Sequence, residues 1–495
     1  MSAGTRGIAR HTIIYGLGTV LQKGVAFVML PVYTRILTLE DYGVVALIDM
    51  TLDVISIGAG AQLAYAIYRF YHKAETEADR RTVVSTVFFS LLVSYALTAG
   101  LTFAFADRLS VLLFDGPERA TLIRVAAGSM FSQCLLIVPF AYLQVQEKSA
   151  ASTTISLVKL VMQLSLNILL LVWLRVGVIG ILLSTLIANA ITGILLSAWT
   201  IRRVGISFSS QTLRSLFRYA GPMIVTQFAT FFATFGDRYF LKAYGTEADV
   251  GLFNLSYQFA FLMYSIGFIP FDSFWGPRRF AIAKEQDVTV RDRGLSDGFN
   301  YANVLILSTT VGIALLVGDV LRVMTTPPFF PAADAVPFIL GAYVLLAWAS
   351  IQDVGILVRE RTEFVTLSNW IALAVSLAAW VLLIPRFGSM GAAWACSISF
   401  LVKYVCTYTF SQRLWPVRYE WGPTLRMAGV GITLVVGASQ LPQFPIVPSI
   451  AVHAVLASGY LAFVWHAGAL SPDLRRELIS KARVMLSRTS GAAAP

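Results

Sequence analysis

The sequence predicts an all-α polytopic membrane protein of about fourteen transmembrane helices, and three observations predict it. Hydrophobic residues fill 57% of the 495 positions and charged residues only 13%, where a soluble domain carries about 25% charged residues. Apolar stretches of bilayer length recur from one end to the other. Lysine and arginine gather in alternate connections between those stretches. With a mean hydropathy of +0.71, a soluble enzyme and a soluble protein with a single anchor are both excluded.

A spanning helix needs about 20 mostly apolar residues. The chain opens with a short basic stretch containing Arg6 and Arg10. The apolar run that follows is too long for a signal h-region and shows no convincing small-residue cleavage site, so it reads as the first span. The expected spans are 12–36, 42–68, 82–106, 119–145, 150–174, 178–201, 216–241, 250–274, 298–317, 335–357, 364–384, 389–410, 421–438 and 447–467.

Loop charge orients them. With the N-terminus in the cytoplasm, the inner connections and tail hold Arg69, Arg80, Arg81, Arg202, Arg203, Arg278, Arg279, Arg291, Arg293, Arg413, Arg418 and Arg475, among others. The outer side holds Arg35, Arg108, Arg119, Arg124, Arg175, Lys242, Arg322 and Arg386. The excess is roughly threefold, which places both ends inside and requires an even helix count. The same asymmetry accounts for the net charge of +11. The basic character therefore reads as topology, and no nucleic-acid partner is expected.

The chain repeats itself. Arg175-Val176-Gly177-Val178-Ile179-Gly180 recurs as Arg386-Phe387-Gly388-Ser389-Met390-Gly391. Thr38 to Gly43 resembles Thr246 to Gly251 at almost the same offset, and Arg69 leaving the second helix corresponds to Arg278 and Arg279 leaving the eighth. Each repeat then holds six helices. An even number gives both halves one orientation, related by a pseudo-two-fold axis along the membrane normal, with a site between them near the midplane. The expected divisions are an N-terminal six-helix lobe (1–201), a C-terminal six-helix lobe (202–412), an extra helix pair (413–470) and a basic cytoplasmic tail (471–495).

The sequence contains no Gly-x-x-x-x-Gly-Lys-Ser/Thr phosphate loop and no His-Glu-x-x-His metal motif. Cys134, Cys396 and Cys406 all fall in apolar segments and read as packing residues. No metal, cofactor or catalytic residue is expected.

Charges inside spans cost at least about 2.5 kcal/mol each on insertion scales and point to bundle interiors, cavities or transport routes. The deep ones are Lys23, Asp49, Asp53, Lys159, Asp237, Arg238, Asp272, Asp353 and Lys403, spread over both halves. Lys23, Lys159, Arg238 and Lys403 are candidates to bind an anionic substrate. Asp49, Asp53, Asp237 and Asp353 are candidates to couple a sodium ion or a proton. Asp49 and Asp53 are four apart and share a helical face; an equal reading is that they neutralise Lys23 or Lys159. Adjacent Asp237 and Arg238 should point in different directions. Arg69, Arg278 and Arg279 sit at the cytoplasmic ends of helices 2 and 8, where planar guanidinium forks suit diphosphate oxygens. Simple positive-inside anchoring explains any one of them equally well.

Leu30-Pro31-Val32-Tyr33-Thr34-Arg35-Ile36-Leu37-Thr38-Leu39-Glu40-Asp41-Tyr42-Gly43 resembles the junction of helices 1 and 2 in Wzx-type oligosaccharide flippases, the polysaccharide transporter branch of the MOP superfamily. Asp237 to Leu241, followed by Asp249 to Phe253, resembles their stretch across helices 7 and 8. The resemblance implies a MOP/MATE-like fold in the bacterial inner membrane. It implies movement of an undecaprenyl-diphosphate-linked oligosaccharide from the cytoplasmic to the periplasmic leaflet by alternating access, with the diphosphate and sugars in a cationic cavity. Membrane lipids and the polysaccharide polymerase machinery are the further partners it implies. Related lipid II flippases carry several arginines deep in helices 1, 2 and 8. Here helix 1 has Lys23 and the other arginines lie near helix ends, which makes lipid II the less favoured cargo. A cation-coupled multidrug exporter of the same superfamily would favour a more carboxylate-rich, aromatic cavity. A polytopic glycan-modifying enzyme would need larger outer loops than these.

Overall fold

The computed structural model describes residues 29–442, 444–470, 475–476 and 480. Lys23, most of the first expected span and most of the tail lie outside the described residues. Every regular element among the described residues is a helix.

Helix α1 (Leu30–Ile36) starts with Pro31 in its first turn, where a missing N–H costs nothing. Thr38 and Asp41 form a reciprocal capping box at the head of α2 (Leu39–Gly58), each backbone N–H donating 3.1 Å to the other's side chain. The expected continuous span 42–68 is in fact two helices, because α3 (Leu63–Lys73) departs at 42°. The break centres on Gly60 at φ 90, a conformation glycine adopts without steric cost.

There follow α4 (Glu77–Ala104), α5 (Ala106–Phe114), α6 (Ala120–Val145), α7 (Ser149–Ile168) with a π turn at Leu169–Trp173, α8 (Val178–Val204), α9 (Ser210–Phe235) and α10 (Asp237–Tyr244). Next come α11 (Glu247–Met263), a π turn at Tyr264–Phe268, α12 (Ile269–Ala283), α13 (Val288–Met324), α14 (Ala332–Gln352) and α15 (Val354–Val358). The last are α16 (Glu363–Leu414), α17 (Trp421–Ser439) and α18 (Ile446–His466).

Nine helices among the described residues are long and apolar enough to cross a membrane, ten if α2 and α3 form one bent span. One of the nine, α16, is 52 residues long and is interrupted by non-helical Gly388, so it holds two bilayer lengths. The expected seventh and thirteenth spans also form helices, α9 and α17, but are not among the nine.

The two Arg-x-Gly-x-x-Gly segments share a local backbone. Gly177 (φ 65, ψ −148) and Gly388 (φ 53, ψ −129) both take a turn that favours glycine. Gly180 and Gly391 then pack where a Cβ would lie 3.1 Å from the Cβ of Leu170 and 2.4 Å from the carbonyl oxygen of Leu383.

By contacts the chain divides into two compact units. The first holds residues 29–255, 324–332 and 372–396 of those described. Its core gathers Ile67, Val84, Leu91, Tyr95, Met130, Val138 and Leu216 from α3, α4, α6 and α9. Gly193 on α8 lets α6 approach closely, since a Cβ there would lie 2.7 Å from the Cβ of Leu135. Small residues of this kind govern helix contact where lipid removes the hydrophobic drive between helices. Leu97, Leu101, Val158, Val161, Ile194 and Leu195 are exposed, which suits a lipid-facing surface and would be an aggregation liability in water.

The second unit holds residues 256–323, 333–371 and 397–480 of those described. Phe299 is its aromatic centre, with ring centroids of Trp421, Tyr419 and Trp348 at 5.0, 5.5 and 5.9 Å. Buried Asp319 ties α13 to α18 through the Ser449 hydroxyl and His453 Nδ1, both at 2.6 Å. The Gly355 N–H donates 3.0 Å to Ser411 Oγ, fixing the turn that presents Asp353.

Candidate functional site

In the first unit, α7 carries Lys159, Gln163 and Asn167 four residues apart, on one face. Each finds a partner. Lys159 Nζ donates 2.9 Å to Asn189 Oδ1, and Gln163 Nε2 donates 2.9 Å to Thr185 Oγ1. Asn167 Nδ2 donates 2.9 Å to the Tyr33 hydroxyl and accepts from Ser184 Oγ. A polar ladder thus runs along the 25-residue stretch Ser149–Trp173, in which Lys159 is the one charged residue. Lys159 is half-buried and its partner is a neutral amide. Among the described residues no carboxylate lies within ion-pair distance of it.

Asp49 and Asp53 lie one turn apart on α2, both exposed, and neither pairs with a cation among the described residues. Tyr33, Tyr95 and Tyr239 are within their electrostatic range. Thr51, between the two aspartates, shares a 3.1 Å hydrogen bond with the Tyr239 hydroxyl. The three tyrosine hydroxyls themselves bond Asn167, Ser56 and Thr51, and two carboxylates one turn apart are groups that can take up a proton or a hard cation.

Asp237 and Arg238 do not point in different directions. Arg238 Nη1 donates 2.6 Å to Asp237 Oδ1 and 3.1 Å to the Thr234 carbonyl, and its guanidinium stacks 4.8 Å from the Phe253 ring centroid. The long arginine chain reaches back over its own turn. Both residues are buried, at 3% and 0% exposure. Buried and mutually bonded, they are packed interior rather than lining.

In the second unit, Arg279 turns inward. Its Nη1 donates 2.7 Å to Asp353 Oδ1 and 2.8 Å to the Ser350 carbonyl. Asp272 acts electrostatically on the same pair, and Lys403 on Asp353. Beside them, the Tyr404 hydroxyl donates 2.9 Å to Gln352. Arg278, one residue earlier, is exposed and lines a cavity of about 320 Å³ with Phe271, Phe274 and Trp275. Arg69, in the first unit, is exposed above the Tyr219 ring at 4.9 Å. The three arginines expected at the ends of helices 2 and 8 therefore divide into two exposed cations and one ion-paired cation.

The first unit also holds contacts that single residues did not announce. The capped starts of α2 and α11 meet back to back, and Thr246 and Asp249 repeat the Thr38–Asp41 box. A Cβ on Gly43 would fall 1.8 Å from the Glu247 carbonyl oxygen, and one on Gly251 would fall 2.3 Å from that of Leu39. Around this crossing, Arg119 bonds Glu247 at 2.8 Å, while Lys242 bonds Asp115 at 2.7 Å and reaches Glu247 at 3.3 Å. Burial penalises the Lys242 charge, but hydrogen bonds to Asp115 and Glu247 and their charges outweigh it and raise its pKa. A raised lysine value means the contribution is complete at neutral pH and is lost only as pH climbs through that value.

No group of three or more metal-ligating side chains occurs among the described residues.

Residues 8–277, more than half of the chain, match the model of the polysaccharide biosynthesis protein family. The chain belongs to this family. The probable low-salt glycan biosynthesis flippase Agl15 of Haloferax volcanii is 21% identical over 278 residues, 53% of this chain and 58% of that protein. The match thus spans under two thirds of that relative's length. Among solved structures, the lipid II flippase MurJ in an inward closed conformation has a TM-score of 0.75 at 12% identity, covering 92% of this chain and 99% of that one. An inward-facing multidrug resistance MATE transporter of the MOP superfamily has a TM-score of 0.64 at 15% identity, covering 81% and 94%. At such identities the likeness is one of fold. This member of the polysaccharide biosynthesis protein family is accordingly a multi-pass, all-helical membrane protein with the fold shared by MurJ and MATE.

Proposed function

We propose that this family member is a Wzx-type flippase. It moves an undecaprenyl-diphosphate-linked oligosaccharide from the cytoplasmic to the periplasmic leaflet of the bacterial inner membrane by alternating access, without covalent chemistry. Family membership and the Agl15 match support the class of cargo. The observation that carries the reading is Lys159, a cation in mid-span whose partner is a neutral amide. Such a charge is costly in lipid unless an anion uses it. The ladder of Gln163, Asn167 and Ser184 below it offers the paired donors and acceptors that sugar hydroxyls need.

The proposed architecture is fourteen spans, divided six, six and two, with both ends cytoplasmic. Lys159 serves the diphosphate, and Arg69, in the same unit, serves its entrance. Arg279 and Asp353 form a switchable pair. Asp49 and Asp53 take the coupling sodium ion or proton. Asp237 and Arg238 hold the fold of α10. The crossing of Gly43 with Gly251 is the closed outer gate, with Asp115, Arg119, Lys242 and Glu247 as its latch.

The exposed carboxylate pair with its tyrosines favours one second reading, a cation-coupled exporter. Binding separates the two. Lys159→Met should weaken binding of undecaprenyl-diphosphate oligosaccharide to the purified protein about 10- to 100-fold, the value of one charge-assisted hydrogen bond, with Lys159→Arg retaining most of it. Equal binding by wild type and Lys159→Met, measured by microscale thermophoresis, would remove Lys159 from the site.

A further inference from the structure

In the second unit, the first turns of α13 and the extended strap 415–420 border an open cavity of about 810 Å³, within the range of small-ligand sites. Arg291, Arg293, Arg418, Trp415, Tyr419 and Glu420 line it. Buried Asp292 builds the site. Its Oδ1 accepts from Arg291 Nε and Nη2 at 3.0 and 2.7 Å, and its Oδ2 accepts from the Arg418 N–H at 3.2 Å. Arg291 stacks on Trp415 at 4.3 Å. These bonds consume Arg291 and Asp292 and pin the strap. The helix start adds nothing for a ligand, because Asp287 already accepts from the Thr289 and Val290 N–H groups at 2.7 and 3.3 Å.

Arg293 and Arg418 are different. Both are exposed on the cavity wall, and among the described residues neither makes a side-chain ion pair. Asp297 feels Arg293 electrostatically, and the lining holds two carboxylates, Asp292, which is bonded to Arg291, and Glu420. Two guanidinium forks lining one cavity, one from the helix and one from the strap, match the oxygens of a phosphate group. Trp415 and Tyr419 are rings of the kind that settle at headgroup depth.

We infer that this cavity binds the phosphate group of an anionic ligand between Arg293 and Arg418, with the Arg291–Trp415 stack as a fixed wall. On the cytoplasmic orientation proposed above, the ligand available there is an inner-leaflet phospholipid headgroup. The inference rests on that orientation and not on the transported cargo.

The test uses the full chain, purified in detergent, with retained phosphatidylglycerol and phosphatidylcholine counted by native mass spectrometry. The double variant Arg293→Ala/Arg418→Ala should retain about tenfold less phosphatidylglycerol, with phosphatidylcholine unchanged. The charge-matched control Arg202→Ala/Arg214→Ala should stay within about twofold of wild type. Inorganic phosphate that binds the wild type, fails to bind the double variant, and leaves lipid retention unaffected would assign the same site to a soluble phosphate. Arg293→Lys/Arg418→Lys keeps the charge and loses the forks, so it should fall between the two, and it gives the reading if the alanine pair does not fold. Phosphatidylglycerol retention and phosphate binding equal in wild type and both double variants overturn the inference, as does an equal loss in the control. Oligosaccharide flipping is not part of the readout, so failure here leaves the transport proposal standing.

Discussion

Alanine in place of Gly43 will hold the proposed outer gate open and lower flipping by about tenfold or more. The reason is distance. The added methyl would sit 1.8 Å from the Glu247 carbonyl oxygen and 2.7 Å from its carbon, and both are backbone. No rotamer relieves that overlap, so α2 and α11 must separate. Overpacking costs about 1–3 kcal/mol and more where backbone is struck. The gain in helix propensity from glycine to alanine returns about 1 kcal/mol, so the overlap wins. The latch does not rescue it, because partly exposed ion pairs contribute about 0–1 kcal/mol each. Gly251→Ala should act alike through the Leu39 carbonyl at 2.3 Å. A reporter Ala248→Cys, labelled with a membrane-impermeant maleimide, should react several-fold faster in the Gly43→Ala background. Unchanged labelling together with unchanged flipping would show that these helices do not form a gate.

Removing the carboxylate of Asp237 will destabilise the protein by about 3–5 kcal/mol, because it takes away a carboxylate bonded directly to the buried Arg238 charge. Arg238 is 0% exposed and its cationic plane lies on Phe253. Asp237→Ala should therefore show a lower melting midpoint and less folded protein in the membrane. The double variant Asp237→Ala/Arg238→Leu should recover more than half of the loss, since both charges are then gone. Additive losses in that cycle, or a single variant as stable as wild type, would mean that the pair does not hold α10.

Much of the helical order was legible because hydropathy reports bilayer thickness. The expected span 178–201 is α8, Val178–Val204, and 447–467 is α18, Ile446–His466. What hydropathy misses is helix that continues beyond the lipid. The expected 298–317 extends to Val288–Met324 because Arg291, Asp292, Arg293 and Asp297 prolong the same helix in polar surroundings. Hydropathy was also blind to the bend between α2 and α3, where apolar character is unbroken and only Gly58-Ala59-Gly60 marks the turn.

The charges of the candidate site could be read one at a time; their partners could not. Arg279 lies 74 residues from Asp353, and nothing local says that it turns inward while Arg278 stays exposed. The pairing of Asp237 with Arg238 went unread because helical geometry separates adjacent Cβ directions, whereas a long guanidinium chain bridges them. The ladder on α7 did have a signal, the spacing of Lys159, Gln163 and Asn167. The meeting of Gly43 with Gly251 was half-visible, since both stand at the same place in the repeated Thr-x-x-Asp-x-Gly pattern.

Translocation of a lipid-linked oligosaccharide is seen by following that lipid across a bilayer. Proteoliposomes carrying a fluorescent undecaprenyl-diphosphate oligosaccharide are challenged with an impermeant quencher, beside a parallel assay for organic-cation uptake. A flippase brings nearly all of the labelled lipid within reach of the quencher, protein-free liposomes protect the inner-leaflet half, and Lys159→Met should behave close to protein-free. Organic-cation transport with the labelled lipid still protected would contradict lipid translocation.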